Sequence, residues 1–176
     1  MIDYIEYELF GLPYRNSKTK LTPLMWLTFR RYKKIDFIFR ILSSNSLQKQ
    51  AIDLFIGNDF KGNIFIDEKK IELPKRKWRQ LIFWNCNGKI KFWEDLPPQE
   101  EIKVSIVFEQ GHISIRNGVE NNVGDRIICD TDETAFAIES IGENEFIFHC
   151  EEAKENGDFD SLVFYMKAEL GEEIDL

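Results

Sequence analysis

The stretch LIFWNCNGKIKFW, residues 81–93, decides the fold. Apolar residues alternate on both sides of Asn87-Gly88, the dipeptide best suited to a two-residue hairpin turn because both residues tolerate positive φ. A turn of even length places Gln80, Ile82, Trp84, Lys89, Lys91 and Trp93 on one face, and Leu81, Phe83, Ile90 and Phe92 on the other. The second set is uniformly apolar and is the expected core side. The first leaves Trp84 and Trp93 beside Lys89 and Lys91. Indoles stack on sugar rings or partner side chains, and neighbouring ammonium groups hold carboxylate, sulfate or phosphate. These four residues are therefore candidate ligand contacts.

The same period extends in both directions. Short alternating runs at 35–42, 51–56, 63–67, 80–84, 89–93, 102–108, 112–116, 126–130, 134–140, 145–151 and 162–169 are separated by Gly, Asn, Asp and Pro, with further strands expected at 4–10 and 25–30. So many half-apolar strands exceed one open sheet, and the expected fold is an all-β, two-layer antiparallel sandwich of jelly-roll-like form, one domain over 1–176, with at most one short helix. That helix would be capped by Ser46 over LQKQAIDLF. The two chain ends are expected to pair in one sheet. In EIKVSIVFEQGHISIRNG, residues 101–118, a hairpin about Gln110-Gly111 would put Val104, Ile106, Phe108, Ile113 and Ile115 inward. Its wet side would carry Ser105, Val107, Glu109, His112, Ser114 and Arg116. His112 and Arg116 join the candidate ligand contacts. Ser114 with His112 lacks a third, orienting group and is not read as a catalytic pair.

The chain's 176 residues carry a net charge of -8, and that total hides two opposed segments. Residues 1–93 hold 18 Lys and Arg against 9 acids, and residues 94–176 hold 5 against 22, so a polar surface that steers charged partners is expected. A sequence pI of about 4.9 makes nucleic acid an unlikely partner, despite the basic runs RRYKK and PKRKWR. No apolar run reaches membrane-spanning length, and no membrane partner is expected. Cys86, Cys129 and Cys150 form an odd set without CxxC spacing, and no Asn-x-Ser/Thr sequon occurs, which fits a reducing, cytoplasmic setting.

Metal and catalytic signatures are weak. His149 and Cys150 are neighbours on a strand and point to opposite faces, so they cannot share a metal, and no metal or cofactor is expected. The acidic clusters at Asp130 and Asp132 and at Asp158 and Asp160 offer oxygen ligands without calcium-loop spacing. Walker, GxGxxG, HExxH and GxSxG patterns are absent. The strands ending in FDSLVFYMKAEL, residues 159–170, resemble the final strands of jelly-roll carbohydrate-binding modules and lectins in a general way, without the His-Asn-Pro-Arg cluster of galectins. The expected function is a non-enzymatic protein that binds another protein by charge complementarity, of inhibitor, immunity or adaptor type. The alternative is a lectin-like module that binds a glycan on its Trp/Lys platform.

Overall fold

The computed structural model describes residues 3–6, 25–28, 33–46, 48–73, 79–92, 95–124, 126–130, 134–151 and 161–172. The strands are β1 (Asp3–Glu6), β2 (Met25–Thr28), β3 (Lys34–Ser44), β4 (Gln50–Ile56), β5 (Lys61–Ile66), β6 (Lys69–Ile71) and β7 (Arg79–Cys86). They continue with β8 (Lys89–Lys91), β9 (Ile102–Gln110), β10 (Ile113–Val123), β11 (Arg126–Asp130), β12 (Ala135–Gly142), β13 (Glu145–Glu151) and β14 (Leu162–Leu170). They form two antiparallel sheets packed face to face, a β-sandwich. The first runs β1-β2-β10-β4-β7-β8, with β11 also on β10, and the second runs β12-β13-β14-β3-β9-β5-β6.

The apolar parity of each strand explains the packing. Phe37, Phe39, Ile41, Phe83, Val104, Ile106, Ile113, Ile115, Phe146, Phe148, Phe164 and Met166 are buried between the sheets, and Phe92 and Phe108 pack against them from the margin. Phe39 ties the layers together, with its ring centroid 6.1 Å from Phe83 of the first sheet and 6.3 Å from Phe164 of its own. Phe164 stacks on Phe148 at 4.4 Å, and Phe148 meets Phe136 edge-on at 5.1 Å.

The hairpin at Asn87-Gly88 forms as its chemistry dictates. Both turn residues have positive φ, 53° and 84°, and Cys86 pairs with Lys89 across it. The connection at Gln110-Gly111 is different: β9 and β10 are not a hairpin, because β9 pairs with β3 and β5 in the second sheet and β10 with β2, β4 and β11 in the first. The chain arches from one layer to the other. Gly111 has φ 101°, and a Cβ there would lie 2.3 Å from Phe60 Cα, so the link between β4 and β5 sits directly on this arch. An arch keeps the apolar parity inward on both strands, so the core set is unchanged while the polar sides separate. Ser105, Val107 and Glu109 lie on the outside of the second sheet, and His112, Ser114 and Arg116 on the outside of the first.

The bound of at most one short helix holds, while the Ser46 segment, the chain ends and the strand after β5 differ in detail. No helix occurs among the described residues: Ser46 Oγ accepts from the Gln48 N–H at 3.0 Å and from Gln50 Nε2 at 3.3 Å, a local turn that leads straight into β4. The chain ends do not share a sheet, since β1 is at an edge of the first and β14 is central in the second beside β3. An unanticipated strand, β6, follows β5 through Asp67-Glu68, which adopt φ 46° and 70° without a glycine.

Truncating Phe148 to Ala removes a ring that touches two others in the closed centre and is expected to cost about 3 to 5 kcal/mol. Phe108→Ala, at the margin, should cost clearly less; equal denaturant midpoints for the two variants would contradict this placement of the core.

Candidate functional site

The two hairpin-derived sets of candidate residues come together on one surface. β7 and β10 flank β4 on its two sides, and in register Arg116 faces Asp53, which faces Ile82, while Gly118 faces Ala51, which faces Trp84, which faces Lys91. Trp84, Lys89, Lys91, His112 and Arg116 therefore occupy the outer face of the first sheet. Trp93 lies outside the described residues, so the expected indole pair is represented by Trp84 alone. Trp84 is half-buried, and Lys49 Nζ lies 5.1 Å from its ring centroid, a cation-π contact. Lys89 reaches toward Glu100, at 3.6 Å.

The centre of this face was missed in the sequence. Asp53, in AIDLFIG, is fully buried although it points away from the core, and so is Ser114 two strand positions from Arg116. Gln80 Nε2 donates to Asp53 Oδ2 at 2.9 Å, and the Arg116 guanidinium lies 4.5 Å from the Phe55 ring centroid. Asp53 Oδ1, Arg116 Nε and Ser114 Oγ are buried and have no hydrogen-bond partner among the described residues. Buried polar atoms are normally satisfied, so three unmet ones on adjacent strands mark the most polarised spot of the face. Burial pushes the Asp53 carboxyl up to about 7, against the Gln80 hydrogen bond and the Arg116 charge that pull it down. The signal was legible in principle: an acid within an otherwise apolar strand.

At the rim, His112 Nδ1 lies 2.9 Å from Asp59 Oδ1, so the orienting carboxylate absent from the sequence reading exists. Ser114 Oγ is buried and has no hydrogen-bond partner among the described residues. His149 pairs with Glu139 on the far sheet at 2.9 Å, while Cys150 points into the core, where burial, then the nearby Glu151, pushes its thiol well above the ordinary value. None of Cys86, Cys129 and Cys150 forms a disulfide. Among the described residues no three His, Cys, Asp or Glu side chains converge, and no helix is long and apolar enough to cross a membrane. The side chains of Asp130, Asp132, Asp158 and Asp160 lie outside the described residues.

A cavity of about 210 Å³ opens elsewhere, at the end of the sandwich between Ile66, Ile90, Phe92, Leu96, Pro97 and Ile102. It is apolar and smaller than the roughly 300 to 1,000 Å³ usual for ligand pockets. No protein-family model, curated protein or solved structure matches the chain.

Because the folded Asp53 carboxyl releases its proton near pH 7 and the unfolded one near 3.8, the folded chain holds the extra proton between these values. Its contribution to stability is therefore full below about pH 4 and lost as pH rises through about 7. Asp53→Asn should gain in urea midpoint relative to the parent chain on going from pH 5 to pH 8. A relative loss would mean that Arg116 outweighs desolvation.

Proposed function

We propose that the chain is a non-enzymatic binding protein that engages a protein partner through charge complementarity. The supporting observation is an acidic edge of the second sheet: β12 and β13 carry Glu139 and Glu145, with exposed Glu143 in the turn between them, and no lysine or arginine. At the other edge Lys61, Lys69 and Lys70 of β5 and β6 are balanced by exposed Asp67, Glu68 and Glu72, which differs from the two-block polarity expected from chain order. β9, from the acidic segment, lies between β3 and β5 of the basic one, and Arg40–Glu101 (2.9 Å), Lys103–Asp36 (3.6 Å) and Lys89–Glu100 (3.6 Å) join the segments. The first two pairs cancel charge within the second sheet and the third offsets Lys89 on the edge strand of the first, which leaves the β12–β13 edge acidic. Three cysteines outside any disulfide suit a cytoplasmic setting, and the acidic balance disfavours nucleic acid.

A second reading is favoured by the outer face of the first sheet. Half-buried Trp84 beside Lys49, Lys89 and Lys91 combines stacking surface with polar groups, as glycan recognition requires, while fully buried Asp53 and Ser114 lie beneath that face. No catalytic step is assigned to either surface.

Photo-crosslinking in the native cell should capture a protein whose yield falls with salt above physiological strength, where the Debye length is about 8 Å, and which is lost on reversing Glu139 and Glu143 to Lys. Capture indifferent to both would remove the charge reading. On a glycan array, the second reading expects a sugar ligand whose affinity drops by about 1 to 3 kcal/mol in Trp84→Ala with folding intact; unchanged affinity would remove Trp84 from that surface.

A further inference from the structure

We infer that the outer edge of β12 is a strand-addition site for an extended segment alternating apolar and cationic residues; this rests on the charge reading above and names its partner's chemistry. β12 ends the order of the second sheet, and among the described residues no strand pairs with its outer side. The direction of its backbone groups follows from the neighbouring ladder. Ser161 N donates to Cys150 O, so Cys150, Phe148 and Phe146 turn their N–H and C=O toward β14, and His149 and Ile147 turn theirs toward β12. Their partners Ala137 and Glu139 face back, which leaves the backbone groups of Phe136, Ile138 and Ser140 pointing outward.

The length of the usable edge is bounded on both sides. Near its start, Thr134 Oγ1 donates to Asn117 O at 2.6 Å and Asn117 Nδ2 donates to Glu151 O at 3.4 Å, tying that end to the first sheet. Near its end, the register shifts between Ser140 and Gly142. Between them Ile138 and Ser140 offer two consecutive outward positions, and from Glu139 to Gly142 the strand is exposed, with Ile141 47% accessible.

The occupant's chemistry follows from the two faces of the edge. Toward the core a new strand would extend the row of Phe136 and Ile138, which asks for an apolar residue; toward solvent it would lie beside Glu139 and Ile141, which asks for a long cation. A second copy of β12 would bring Glu139 against its own kind, so self-pairing is disfavoured. The opposite edge, β6, is three residues long and carries Lys69 and Lys70, the features by which sheets block such pairing. β12 carries neither lysine nor proline. Backbone pairing would supply affinity and the alternating side chains selectivity.

The test uses the whole chain and three acetylated octapeptides: alternating lysine and valine, the same sequence N-methylated at every residue, and alternating glutamate and valine. Amide hydrogen exchange at Ile138 and Ser140 should slow roughly tenfold or more with saturating lysine–valine peptide, and stay unchanged with the other two. Glu139→Lys, at an exposed position, should abolish that protection. Salt-sensitive binding of the lysine–valine peptide without protection at Ile138 and Ser140, or equal binding of its N-methylated form, would overturn strand addition and leave the charge reading standing. No binding of the lysine–valine peptide at low salt, or equal binding of the glutamate peptide, would overturn both.

Discussion

The structure depends on the aromatic layer centred on Phe39, where a ring from the second sheet meets Phe83 of the first. Strand side chains alternate with a period of two, so fixing Phe37, Phe39 and Ile41 inward forces Asp36, Ile38 and Arg40 outward. Register with the flanking strands then decides which charges meet. Ser105 of β9 lies opposite Asp36, and Lys103 two residues earlier comes within 3.6 Å of its carboxylate. Burial alone would raise Asp36, but Ser105, Lys34 and Lys103 outweigh it and hold the carboxyl below its ordinary value. The mid-sheet ion pairs are thus consequences of the core, not independent supports, as the small worth of exposed pairs also implies.

The same constraint accounts for the outer face of the first sheet. Ile52, Leu54 and Ile56 must point inward, which leaves Asp53 and Phe55 outward in the middle of three strands. Sliding β4 by one residue would turn Asp53 into the apolar core and expose three aliphatic side chains, each worth roughly 1.5 to 3 kcal/mol of burial. The carboxyl has a less costly response: it keeps its proton until near neutrality, which limits the desolvation penalty. The acid is tolerated because the core pattern leaves no better register.

What was legible in the sequence was whatever neighbouring residues decide. Asn87-Gly88 specifies its hairpin within two positions, and the inward parities of β3, β7, β9, β10, β13 and β14 follow from local alternation. Gln110-Gly111 did not reveal whether it closes a hairpin or an arch, because a glycine at positive φ serves both. The choice is made by Phe60 and Gly57, some fifty residues away in the chain, the latter donating its N–H to His112 O at 3.1 Å. β6 escaped because Asp67-Glu68 turn without the usual glycine or asparagine. Candidate residues from the β7–β8 hairpin and the β9–β10 arch were legible singly, but their meeting on one face was not, since β4 is inserted between β7 and β10 from an earlier part of the chain. Charge followed the same logic: order along the chain is not order across a sheet, so two opposed segments became interleaved strands with one acidic edge at β12 and β13.

The edges of the second sheet differ in a way that core packing does not require. An edge must be prevented from growing on copies of itself, and either sign of charge accomplishes this. At β6 the lysines do so on a strand only three residues long. At β12, eight residues long, the charge is Glu139, held by His149 at 2.9 Å on the outer face. An acid repels the same acid in a second copy but attracts a cation in a different chain. Under the strand-addition proposal, protection against self-association and selection of a partner would converge on one side chain, and the bulge before Gly142 would restrict both to a window of about two residue pairs. A sheet edge so limited offers few backbone pairs to a copy of itself, and under the same proposal those few would read the sign and alternation of an incoming strand.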